Sequence, residues 1–120
     1  DWSAHHRVIQ QQGDEWRRVQ KAFPDADLYV AGDFNTDMRT GGYYGTKMGI
    51  EMLRSGLANC GLFCSTEYDR VPPGMLLHPP IDHIAVPAKY RDNTRVAAAW
   101  DADTRQLSDH SGIVVEVCPA

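Results

Sequence analysis

The sequence lacks any apolar stretch approaching the roughly 20 residues that a membrane-spanning helix needs. It lacks an excess of positive charge: 12 Lys and Arg stand against 16 Asp and Glu, a formal net charge of -4. A chain that grips a long tract of phosphates carries a basic surface. An extended nucleic-acid surface is therefore disfavoured, and a small substrate, a short nucleic-acid contact or a lipid headgroup fits better. Cysteine is scarce. Cys60, Cys64 and Cys118 are too few, and odd in number, for a disulfide framework, so a reducing, cytoplasmic setting is expected. Nothing in these residues resembles a secretory leader, an internal repeat, a low-complexity tract or an obvious linker. The chain opens on Asp1 rather than Met, which suggests processing, trimming or a piece of a longer reading frame.

What is present is ordinary globular material, 42% hydrophobic and 23% charged over 120 residues, enough for one domain with a real core. Residues 3 to 23 have helical spacing, with Ile9, Gln12, Trp16, Val19 and Phe23 on one stripe, Ser3 as N-cap and Pro24 as stop. Gly13 weakens the middle of that helix. Leu28 to Ala31 read as a buried strand leading into "GDFN", and a glycine-rich loop, "MRTGGYYGTK", follows. A second helix is predicted from about Thr46 to Ser55, with Gly56 as left-handed C-cap and Leu57 folding back onto Met52. "GLFCST", "IDHIAVP", "RVAAAW" and "GIVVEVC" read as strands, separated by the turns "VPPG" and "HPP". This order indicates a mixed α/β layer arrangement.

Three polar clusters lie at strand ends: Asp33 with Asn35, Asp82 in "IDHI", and Ser108, Asp109 and His110 in "SDHS". Each alone has a plain structural reading, as an Asx-turn, an edge-strand acid or a polar loop. Together they can converge on one rim of a sheet. A hard cation takes oxygen ligands there and keeps several waters, so one or two carboxylates suffice. A histidine backed by a carboxylate acts as a base or steadies developing charge.

"GDFN", "IDHI" and "SDHS", in this order and with these flanking strands, resemble the endonuclease/exonuclease/phosphatase superfamily, which includes deoxyribonuclease I-like and exonuclease III-like enzymes. The resemblance runs from residue 1 to about 118. It implies Mg²⁺- or Mn²⁺-assisted, in-line attack of water on a phosphoester, without a covalent enzyme intermediate. By position, Asp33 resembles the aspartate that orients or deprotonates the water, and Asn35 the asparagine that holds the phosphate. Asp109, with Asp33, resembles the metal-binding acids. His110 resembles the histidine facing the phosphate, with Asp82 as its partner.

The family fold is a four-layer α/β sandwich of two packed mixed sheets flanked by helices, roughly twice this length. The resemblance makes this chain its second half, residues 1–120 being the C-terminal portion of one domain. The first sheet, with its asparagine and metal-binding glutamate, is then missing, as is a histidine from a strand ahead of the first helix. His5 and His6 lie in that helix and are expected at the surface, and Glu15 and Glu51 do not match the metal glutamate. An uncovered sheet face would favour self-association or marginal folding. The alternative is a non-catalytic, truncated or partner-binding half-domain.

Other readings are weaker. Adjacent residues in "SDHS" cannot line up as a Ser-His-Asp triad, because successive side chains diverge. A calcium loop from Asp101 has Gln106 where glycine is needed and Gly112 where the closing glutamate belongs. Cys60 and Cys64 lack a second pair of zinc ligands and are read as core. The loop Tyr43, Tyr44, Arg39 and Lys47 either meets the substrate's ring and phosphate or packs on the fold; both readings stand. Trp100 is read as core or sheet edge.

Overall fold

The computed structural model describes residues 1–39, 42, 44–102 and 108–119. Helix α1 spans Ser3–Ala22 and helix α2 Lys47–Asn59, with strands β1 (Val30–Asp33), β2 (Leu62–Cys64), β3 (Asp82–Pro87), β4 (Thr94–Trp100) and β5 (Gly112–Val117). Short 3-10 turns lie at Tyr68–Arg70 and Ala88–Asn93. The fold is mixed α/β with two small sheets, and every strand pairing among the described residues is antiparallel. No helix among them is long and apolar enough to cross a membrane.

Helix α1 starts differently from expectation. Ser3 is already helical, and the Asp1 carboxylate accepts its backbone N–H at 3.0 Å, so the first-turn donor is met from two residues upstream. The buried stripe is also rotated. Ile9 and Gly13 are buried and Trp16 packs on the core, whereas Val19 is 42% and Phe23 64% exposed. The rotation follows the closest approach of the two helices. A Cβ on Gly13 would lie 4.0 Å from the Gly56 Cα, and one on Gly56 would lie 3.8 Å from the Trp16 ring. Gly56 is thus a crossing point within α2, not its cap. The helix runs on to Asn59, and Gly61, at φ 68°, takes the left-handed position. Leu57 stays on the helix and is buried rather than folding back. The start of α2 is as expected, the Thr46 hydroxyl accepting from the Gly49 N–H at 3.0 Å.

Sheet order is β1-β3-β2, with β4 and β5 as a separate ribbon. Ile9, Leu53, Leu57, Leu62, Cys64 and Ala85 form the main core between helices and sheet. Leu53 and Leu57 are each 1% exposed, and such side chains contribute about 1.5–3 kcal/mol apiece on burial. Strand β1 is mostly exposed rather than buried, Val30 being partly buried and Ala31, Gly32 and Asp33 exposed. As the outer strand, it packs Val30 inward and leaves Ala31 exposed, with Tyr29 just ahead of it at 44%. A second cluster of Val71, Leu76 and Val96 joins Ile113 and Val115 of β5. Trp100 lies at the ribbon's surface, its indole against Gly112, where a Cβ would meet ring atoms at 2.1 Å.

Candidate active site

In the β1–β3 register Asp33 stands directly opposite Asp82, and Gly32 opposite His83. Directly opposed residues share a face, and successive residues alternate. Asp82 and His83 therefore serve opposite sides of the sheet, one facing the rim and the other buried. His110, in the approach to β5, completes the rim. One ligand-type atom from each of Asp33, Asp82 and His110 lies within 4.8 Å of the other two. Like charges placed directly opposite across strands destabilise a sheet. The backbone thus sets two carboxylates where something positive is called for.

His110 supplies part of that positive charge. Its Nδ1–H donates to Asp82 Oδ2 at 2.6 Å, while its own backbone N–H is held by the Ser108 hydroxyl at 3.1 Å. The hydrogen bond to Asp82 raises the imidazole pKa above its ordinary value. The Asp82 charge and those of Asp109 and Asp33 add to this, against partial burial. Nε2 lies 3.9 Å from Asp109 Oδ1. The Asp109 side chain is 96% exposed and borders a small recess with Pro79, Pro80, Ile81 and Ser111. It is outside the Asp33–Asp82–His110 group.

Beyond β1 the chain turns sharply. The Asp33 carboxylate accepts the Asn35 N–H at 2.9 Å, and Asn35 is left-handed at φ 52°. The Asx-turn and the strand-end charge are therefore one structure rather than competing readings. Asp37, fully buried, then organises the loop by accepting the backbone N–H groups of Arg39 at 3.1 Å and Tyr44 at 3.3 Å. A Cβ on Gly42 would fall 2.2 Å from that carboxylate. Of the loop residues read as substrate contacts, Tyr44 presents its ring edge-on to Trp2 at 5.7 Å, and Lys47 is exposed in the first turn of α2. Neither lines the recess beside Asp82 and His110. Tyr43 and Gln106 lie outside the described residues.

Three histidines take places that the sequence did not disclose. His83 is 1% exposed, and burial lowers its pKa below the ordinary value. Its Nε2–H donates to the Thr36 carbonyl at 2.8 Å, and its Nδ1 accepts from the Thr66 hydroxyl at 2.8 Å, partners that assign the neutral tautomer. His5 and His6 are half-buried, not surface residues. Nε2 of His5 bonds the Phe34 carbonyl at 3.0 Å, and Nε2 of His6 bonds Thr46 Oγ1 at 2.7 Å. The signal for His83 was the period-2 alternation of "IDHI", which puts the residue after Asp82 on the core face.

Compared with protein-family models, curated proteins and solved structures, the chain has no match.

Proposed function

We propose that the chain carries the C-terminal half of the active site of a metal-dependent phosphoester hydrolase, within a four-layer sandwich. The observation that supports this most is the convergence of Asp33, Asp82 and His110 from three separate segments onto one sheet rim. The residues present suit a hard divalent cation of the Mg²⁺ or Mn²⁺ kind. Oxygens of Asp33 and Asp82 would hold it, Asp109 lying outside that group, and the repulsion between the two facing carboxylates gives it a reason to bind. When bound, the ion supplies charge neutralisation at the phosphate and a more acidic water.

The chain's own residues divide the remaining work. The Asp82–His110 pair keeps the imidazole oriented and favours its protonated form, so that the remaining Nε2–H donates to a phosphoryl oxygen. Asp33 aligns the attacking water and accepts its proton as the new O–P bond forms and the ester O–P bond breaks, the leaving oxygen taking the bonding pair and then a proton from solvent. Asn35, next to it, bonds a phosphoryl oxygen without adding charge.

The test is hydrolysis of an aryl phosphodiester with and without Mg²⁺ or Mn²⁺, alongside Asp33→Ala and His110→Ala. Where the chain turns over alone, cation-dependent turnover should fall on the order of 10²-fold or more in both variants; where the missing half is required, the cation should still shift the His110 resonances. A folded chain that shows neither turnover nor any cation-induced change in its His110 resonances overturns the proposal.

A further inference from the structure

The Asn35 turn is gripped from both sides, and the grips come from elements remote from each other in sequence. The carbonyl before Asn35, that of Phe34, accepts from His5 on α1. The carbonyl after it, that of Thr36, accepts from His83 on β3. Its own N–H is taken by Asp33. Asparagine enters the left-handed region more readily than other non-glycine residues, and at φ 52° the contacts around it help to hold it there.

The His5 contact comes at the expense of the ring's other nitrogen. Nδ1 is buried with no hydrogen-bond partner among the described residues, and Trp2 lies against the ring at 5.2 Å between centroids. An imidazole placed for its own satisfaction would leave Nδ1 to solvent. This one is placed for the Phe34 carbonyl. His83 is likewise committed at both nitrogens, the Thr66 hydroxyl that fixes its tautomer also accepting the Ile84 N–H at 3.1 Å.

We infer that His5 and His83 are positioning residues for Asn35: by holding the carbonyls on either side of it, they keep its backbone left-handed and its amide presented toward the rim. Any effect on turnover rests on the phosphoesterase reading, whereas the clamp itself does not. Neither histidine touches the phosphate.

Two measurements on the same variants separate these points. In the first, amide NMR follows the strong intraresidue amide-to-α-proton contact that a left-handed residue gives. His5→Leu and His83→Leu should each weaken that signal at Asn35 and leave α2 and β5 resonances in place. His5→Gln, which retains a donor, should restore it. An unchanged Asn35 signal in folded His5→Leu overturns the inference. If His83→Leu fails to fold, His5→Leu decides, since its site is only half-buried.

The second measurement is a double-mutant cycle in kcat/KM. Each histidine variant should lose on the order of 10-fold with Asn35 present and less than about 2-fold in an Asn35→Ala background, given what small misplacements cost. Equal losses in both backgrounds also overturn the inference. If the wild-type chain shows neither cation-dependent turnover nor a cation-induced change at His110, the functional proposal fails; without turnover, the NMR measurement alone decides the clamp.

Discussion

Replacing Asp33 by Asn should make the metal-free protein more stable. Asn is isosteric and keeps a carbonyl oxygen for the Asn35 N–H, so the turn survives while the charge goes. What is removed is repulsion. The facing oxygens of Asp33 and Asp82 are within 4.8 Å, where two unit charges interact by about 0.9 kcal/mol at the dielectric constant of water. Like-charged cross-strand pairs are worth about 0.2–1 kcal/mol, so a gain near the top of that range is expected. It should survive physiological salt, because the Debye length there is about 8 Å. It should also grow as pH rises past the His110 midpoint, since the imidazolium that partly offsets the repulsion is then lost.

Urea unfolding in EDTA, followed by circular dichroism, reads this gain. Repeating it with Mg²⁺ at tenfold over its Kd should stabilise the wild type by about 1.4 kcal/mol and the variant much less. The order of stabilities would then invert between the two buffers. A variant that is less stable than wild type in EDTA, or one that gains as much from Mg²⁺, refutes the reasoning.

Other outcomes follow from the same contacts. In Asp82→Asn the His110 titration followed by NMR should move down toward the ordinary histidine range. The wild-type stability owed to this pair is fully present below the unfolded pKa of about 6.5 and is lost as pH rises through the raised folded value, a slope the variant should lack. Thiol labelling of the native protein should modify exposed Cys118 rapidly. Cys60 and Cys64 should react only after unfolding, burial having pushed the Cys64 thiol up to about 11; prompt labelling of all three would contradict the core placement. Gly13→Ala should stabilise by about 0.5–1 kcal/mol, since the added methyl finds ordinary contact with Gly56. A thermal midpoint that falls would show the crossing to be tighter than described.

Much of the scaffold was legible because its signals are local. Thr46 as cap, Pro24 as terminator and the apolar runs of β3 and β5 each carry their instruction within a few residues. The rim cluster was legible as a set of strand-end acids, though its geometry was not. That Asp33 faces Asp82 depends on a register between segments about 50 residues apart. Gly56 misled because a glycine near a helix end has two uses, capping and close packing, and only the position of α1 distinguishes them. The histidines were illegible for the same reason, His5 reaching Phe34 and His83 reaching Thr36 across the chain. Asp37 drew no notice in the sequence, since the Arg39 and Tyr44 backbone amides it accepts carry no residue signature.

The glycine contact between α1 and α2 sets more than the spacing of two helices. His5 and His6 ride on α1 about two turns from Gly13, and their hydrogen-bond partners lie in the segment that leads from β1 into α2. A helix moves as a stiff rod, and helix separation follows the size of the residues at the contact. Side chains larger than methyl at 13 or 56 would lift α1 and stretch both histidine bonds together, although neither glycine belongs to the charged rim. The bulk of two uncharged positions thus acts as a mechanical adjustment on a loop they do not touch. A fault in the rim could be introduced, or corrected, from the far side of the helix pair.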